Sequence, residues 1–199
     1  MLEISERTRN LGTENAFVVL KEVNELIREG RDIVNFCIGQ PDFDTPEYIK
    51  EAAIEAIRKG KTGYTPSPGI PELREAVAEY FSKTRNIDVK PEWVVVANGA
   101  KPFIAYTILT VTDYGRGDEV LYPNPGFPIY ESQIRANGAV PVPLPLHESK
   151  GYAFDVEYLE KKITDKTKLL ILNSPHNPTG GVLDKDTLEQ IAEYSEEAR

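Results

Sequence analysis

The sequence predicts an α/β fold: a mostly parallel sheet with helices on its faces. Three observations carry this. Helical periodicity alternates along the chain with short, mostly apolar runs of strand character. Those runs suit strands covered on both sides, as in parallel sheets. The Pro- and Gly-rich segments at 62–71, 122–128 and 173–181 fall at element ends instead of forming linkers, which is where such a sheet builds a ligand site.

The elements follow in order. Residues 14–29 place Val19, Val23, Leu26 and Ile27 on one helical face, closed by Gly30. Thr45 is a good N-cap with Pro46 in the first helical position. Ile49, Ala52, Ala53, Ala56 and Ile57 then recur at helical spacing up to Gly60. A helix from Pro71 is expected to bury Leu73, Ala76, Val77, Tyr80 and Phe81. Trp93 to Ala97 is a short β-branched run and reads as a strand. Ile104 to Val111 is apolar nearly all round, a helix expected to be covered on both sides. Strands at 119–122, 140–144 and 168–172 are separated by a helix at 128–136 and one capped by Asp155 that carries Val156, Leu159 and Ile163. Asp184 caps a last helix with Leu188, Ile191, Ala192 and Ser195 inward. That helix has no stop signal before Arg199, so the sequence is expected to be cut within a domain.

Composition bounds the function. In 199 residues, 23 Lys and Arg stand against 32 Asp and Glu, a net charge of -9. This argues against nucleic acid or an anionic membrane as the main partner, though not against a small anion in a local positive pocket. The single cysteine, Cys37, excludes an internal disulfide and fits a reducing compartment. No signal-peptide core or bilayer-spanning stretch is present, so a cytoplasmic protein is expected. His147 and His176 are the only histidines, too few for a His/Cys metal cluster.

The punctuated loops carry the chemistry. Asn98-Gly99-Ala100-Lys101 opens a helix, and free N–H groups there with glycine's close approach make a phosphate site. Many such turns use Asn-Gly only for its backbone freedom. Lys101 reads as a solvated or phosphate-facing lysine rather than a nucleophile. Pro123-Asn124-Pro125-Gly126-Phe127 is a rigid turn that aims Phe127 outward, either to stack on a flat ring or to staple onto the following helix. Tyr64, in the stiff loop Gly63 to Gly69, is a core tyrosine or a hydroxyl donor on a rigid arm. Gly39 lies in a turn that is structural by default, and Asn177-Pro178 is a common turn starter.

Taken together these segments resemble the class I/II aminotransferases, the fold type I enzymes that use pyridoxal 5'-phosphate. The matching pieces occur in family order: "IGQPDFDTP" (38–46), "GYTPSPGIPELREAV" (63–77), "NGAK" (98–101), "GDEVLYPNPGFPIY" (117–130) and "NSPHNPTGG" (173–181). The resemblance covers essentially the whole chain as the N-terminal portion of the family fold. It implies an N-terminal arm and part of the small domain over 1–40. Residues 41–199 would be the first part of the large cofactor-binding domain.

The resemblance also assigns roles. Gly99, Ala100 and Lys101 would hold the cofactor phosphate. Phe127 would stack on the pyridine ring, where many relatives carry tryptophan, and Asn177 would donate to the ring hydroxyl. Tyr64 would reach the phosphate of the cofactor in a second subunit, implying a homodimer. Gly39 would leave room for the substrate carboxylate, beside a Gln40 that replaces the glutamate frequent in the family.

The reaction implied is amino-group transfer between an amino acid and a 2-oxo acid. The Schiff-base lysine, the aspartate at the ring nitrogen and the carboxylate-binding arginine all match positions beyond Arg199. No catalytic residue is therefore assigned, and these 199 residues alone are expected to be poorly stable and inactive, the rest of the site coming from a separate or missing segment. Two other readings share the motifs: a non-catalytic module that binds the cofactor or a partner chain, and a lyase of the same fold.

Overall fold

The structure, a computed structural model, describes residues 3–9, 11 and 15–197. In chain order the helices and strands are α1 (Glu6–Arg9), α2 (Asn15–Arg28), α3 (Glu47–Arg58), α4 (Pro71–Arg85), α5 (Lys101–Val111), β1 (Glu119–Asn124), α6 (Ile129–Ala136), β2 (Val140–Pro145), α7 (Val156–Glu160), β3 (Thr167–Leu170) and α8 (Lys185–Glu197). Glu14 and Arg199, which bound the first and last helices expected from sequence, lie outside the described residues. Two compact units result, one of residues 16–99 and one of 1–15 with 100–199.

The second unit is an α/β sandwich. Its sheet is fully parallel, in the order β2-β1-β3. Successive residues of the central strand point to opposite faces, and both faces are covered. Val120 and Tyr122 pack with Ile108 of α5 and with Tyr130 and Ile134 of α6. Leu121 packs on the other side with Leu144, Leu159 of α7 and Ile191 of α8. Val120, Leu121, Ile108, Ile134 and Leu159 are all fully buried, so β1 is the spine of the core.

Strand β2 shows how sequence fixes an edge. Val140 donates to the Asp118 carbonyl at 2.8 Å and Leu146 to Asn124 at 2.8 Å, so the even-numbered amides of this stretch face β1. Pro141, Pro143 and Pro145 therefore occupy the outward positions, where a missing N–H costs no ladder bond. That edge cannot accept a further strand in the same pattern. The opposite edge, β3, has no proline, and Ile171 extends its pairing by donating to Leu121 at 2.9 Å. Between α5 and the end of β3 runs an apolar groove of about 360 Å³, lined by Phe103, Ile104, Thr107, Leu170, Ile171 and Leu172.

Helix caps follow the expected chemistry in this unit. The Asp155 carboxylate accepts from the Tyr158 amide at 3.1 Å, and Asp184 accepts from Thr187 at 2.8 Å. Both carboxyls are held below the usual carboxylate range, Asp155 by its bond from Lys150 and Asp184 by the Thr187 amide. Helix α5 departs from expectation. Ile108 is fully buried, but Tyr106 and Leu109 are 59% and 63% exposed. Within its unit α5 packs on α6 and on the sheet through Ile108, while the side that carries Tyr106 and Leu109 is open, so one side is covered and not two.

The 16–99 unit holds α2, α3 and α4 with no sheet. Thr45 is not the cap of α3: Pro46 takes that position, its carbonyl accepting from Ile49 and Lys50. Of the residues expected to be buried by α4, Leu73, Ala76, Tyr80 and Phe81 are exposed and Val77 is half-buried; the buried residue is Ala78, which was not among them. The apolar stripes of α2 and α3 likewise leave Val19, Ile27, Ile49 and Ile57 exposed. The expected strand at 93–97 is replaced by a 3-10 turn at Pro91–Trp93 and an extended, unpaired run. Val96 donates to Pro68 at 2.9 Å instead of to a ladder. Arg74 pins this run to α4, donating from Nε to Val94 O at 2.9 Å and from Nη2 to Pro91 O at 2.8 Å. A strand needs a neighbour to satisfy its backbone, and among the described residues of this unit none is present.

Candidate functional site

Three strands running in one direction bring their C-terminal ends to one edge of the sheet, and the loops leaving them share that edge. The loop after β1 carries Phe127, and the loop after the adjacent β3 carries Asn177. Helix α5 begins at Lys101 with Ala100 as its cap residue, followed at once by Pro102. The Lys101 ammonium lies 5.6 Å from the centre of the Phe127 ring, so the start of α5 meets the loop after β1. The first-turn N–H groups of an α-helix have no partner within the helix and carry partial positive charge.

Phe127 is half-buried and held in place. Its ring meets Tyr130 edge-on, 5.8 Å between centroids at 89°, and its carbonyl accepts from the Tyr130 amide at 3.0 Å to start α6. Gly126 is what permits this turn. A Cβ there would overlap the carbonyl oxygen of Pro123, itself fully buried. Behind Phe127 the Tyr122 hydroxyl donates to Glu131 at 3.1 Å, and Arg135 holds the same carboxylate at 2.7 Å. Burial and the acceptor Glu131 push the Tyr122 hydroxyl up to about 12, while the bond from Arg135 holds Glu131 below the usual carboxylate range. This chain ties β1 to α6 directly below the turn.

The loop from Asn173 to Gly181 is closed on itself. The Asn177 amide donates to Asn173 Oδ1 at 2.8 Å, His176 donates to Gly181 O at 2.8 Å, and Gly180 donates back to His176 O at 2.7 Å. The Leu183 amide donates to Ser174 Oγ at 3.0 Å. Asn177 is exposed and His176, its neighbour, is only 5% exposed. His176 Nδ1 lies 2.8 Å from Thr179 Oγ1, and its Nε2 is buried without a partner. Burial pushes the imidazole pKa down, which favours the neutral ring.

These positions bring Lys101 and Phe127 together and put Asn177 on the same edge of the sheet. They fit a flat, anionic cofactor: a helix start for a phosphate, a clamped aromatic face for a ring, and an exposed amide donor. Gly39, Tyr64 and Gly99 belong to the other unit. Tyr64 is completely exposed there. Gly39 has open space where a side chain would stand, and so does Gly99, whose φ of 79° favours glycine.

Sequence reading did not single out Gly126, His176, Thr179 or Asn173. The glycine was legible as the only residue in that turn without a side chain. The histidine carried no signal, because a lone polar residue in a Pro-rich loop looks exposed. Among the described residues no group of three His, Cys, Asp or Glu side chains is placed to hold a metal ion, and no helix is long and apolar enough to cross a membrane.

Comparison with known proteins agrees with this architecture. The family model for aminotransferase class I and II matches residues 31–199. A probable aspartate/prephenate aminotransferase of Aquifex aeolicus is 43% identical over 191 residues, covering 96% of this chain and 48% of that protein. An aspartate aminotransferase structure from Thermus thermophilus, solved with maleate, superimposes with a TM-score of 0.94 at 39% identity, covering 100% of this chain and 51% of that one. An alanine aminotransferase from Pyrococcus furiosus superimposes with a TM-score of 0.92 at 33% identity, covering 98% of this chain and 50% of that one. The chain thus spans about half the length of these relatives. With the family model matching most of its residues, the chain belongs to the class I and II aminotransferases.

Proposed function

We propose that these residues form the cofactor-binding part of a pyridoxal-phosphate-dependent aminotransferase that moves an amino group between an amino acid and a 2-oxo acid. The observation that carries this reading is the meeting of the α5 start with the clamped Phe127 ring, on the sheet edge from which the Asn177 loop emerges.

Pyridoxal phosphate, when bound, supplies the electron sink that lets an amino acid give up its α-proton. The chain's own residues bind and orient it. The N–H groups of Ala100 and Lys101 receive the phosphate, with Gly99 giving close approach. Phe127 holds one face of the ring and excludes water from it. Asn177 donates to the ring oxygen and favours its anionic form, which lowers the pH at which the bound cofactor titrates. Gly39 leaves room beside the substrate carboxylate. Tyr64 donates to the phosphate held by a second copy of the chain. That assignment, and the exposure of Val34, Phe36 and Phe43 at 78%, 90% and 76%, support a homodimer.

No lysine of residues 1–199 matches the family's proton-transferring lysine, so that group belongs to the remaining length that the relatives have. On the same reading residues 1–40 are the arm and part of the small domain, residues 41–199 open the large domain, and the protein is cytoplasmic. The names of the relatives make aspartate the first amino donor to try. The test is amino transfer by the full-length gene product with pyridoxal phosphate, aspartate and 2-oxoglutarate. Activity that falls with Phe127→Ala and Asn177→Ala is expected. Cofactor affinity unchanged by both substitutions overturns the assignment.

A further inference from the structure

The loop that presents Asn177 has an inward anchor of its own. His176 is 5% exposed and Asn177 is exposed, so the chain turns from the interior to the surface within one residue. His176 is clipped on both sides of its backbone, donating to Gly181 O at 2.8 Å and accepting from Gly180 N at 2.7 Å. Both partners are glycines, which have no side chains to fix the far side of the loop. The side-chain bond that closes it is His176 Nδ1 to Thr179 Oγ1 at 2.8 Å, and the same hydroxyl accepts from the Gly181 amide at 3.3 Å. Thr179 thus links the buried ring to the backbone at the loop's end. His176 Nε2, buried and unpartnered, is the one such side-chain atom among the described residues. A buried polar ring with half its hydrogen-bonding capacity unused costs stability, so packing alone does not account for a histidine there.

We propose that His176 is a positioning residue: its buried ring, bonded through Nδ1 to Thr179, fixes the direction in which Asn177 leaves the loop. This rests on the reading of Asn177 as the donor to the cofactor's ring oxygen. It explains why the loop carries a polar anchor, since a leucine would fill the space without gripping Thr179. Asparagine places an amide where Nδ1 lies and keeps that grip with either its oxygen or its NH2 turned to Thr179.

The test uses the full-length gene product with His176→Leu, His176→Asn, Thr179→Val and Asn177→Ala. Two readouts are taken: amide hydrogen exchange of residues 176–181 in the cofactor-free protein, and the pH midpoint of the absorption band of bound pyridoxal phosphate. His176→Leu and Thr179→Val are expected to speed exchange about tenfold and to raise the midpoint, as Asn177→Ala does. His176→Asn is expected to stay near the wild type in both. Exchange unchanged in His176→Leu and Thr179→Val overturns the proposal, as does His176→Asn behaving like His176→Leu. Should His176→Leu not fold, the half-buried Thr179→Val decides alone. A midpoint unmoved by Asn177→Ala removes the donor role of Asn177, and exchange still decides the role of His176.

Discussion

Gly126→Ala is the sharpest test of how the turn after β1 holds Phe127, the face proposed to bind the cofactor ring. The added Cβ would overlap the Pro123 carbonyl oxygen and come within 3.2 Å of its carbon. Pro123 is fully buried and belongs to the central strand, so it cannot retreat. The relief must come from the other side, by moving Phe127. Two interactions then go: the edge-on contact with Tyr130 and the 3.0 Å bond that starts α6. Together they are worth about 2 kcal/mol. Urea unfolding of the full-length gene product measures the loss, and titration with pyridoxal phosphate measures the misplaced ring. Gly63→Ala is the control, because nothing lies within 4 Å of its Cβ and its φ is not left-handed. It should be neutral or stabilising by about 0.5 kcal/mol through the unfolded chain. Gly126→Ala matching the wild type in stability and cofactor affinity would refute the reasoning.

Three further outcomes follow from the same geometry. Leu121→Ala, at a fully buried site in the central strand, should cost about 3 kcal/mol by urea unfolding, whereas Leu109→Ala on the exposed side of α5 should cost far less. Tyr122 should ionise near 12 in an absorbance titration. Its folded pKa lies above the unfolded value of about 10, so its stabilising contribution is complete below that value and is lost as pH rises through 12. Tyr122→Phe should remove this alkaline loss, as measured by unfolding across that range. Arg74→Met should free the 91–94 run from α4, seen as faster proteolysis there, since two carbonyls lose their donor.

The sheet unit was the more legible half of the molecule. Its strands are short apolar runs flanked by cap residues, and Asp155 and Asp184 cap where the sequence placed them. The prolines of β2 even mark the closed edge, given the parity of its bonds to β1. The 16–99 unit was misread because burial is not a property of a helix alone. Leu73, Tyr80 and Phe81 form a proper apolar stripe, but no element of their own unit covers it. Trp93 to Ala97 has strand composition and lacks the neighbour that would make it one. At the site, Phe127 and Lys101 were legible from turn chemistry and the family motifs. The link between them depends on α5 meeting the loop after β1, a tertiary contact that local sequence does not encode. His176 was invisible for the opposite reason, since a polar residue between prolines gives no periodic sign of burial.

The most direct measurement is borohydride reduction of the full-length gene product loaded with pyridoxal phosphate, followed by peptide mapping. The account predicts one cofactor per chain, fixed to a lysine outside residues 1–199, with the yield lowered by Asn177→Ala and Phe127→Ala. Stoichiometric label on Lys101, or on any other lysine of these 199 residues, would contradict it, and so would the absence of label altogether.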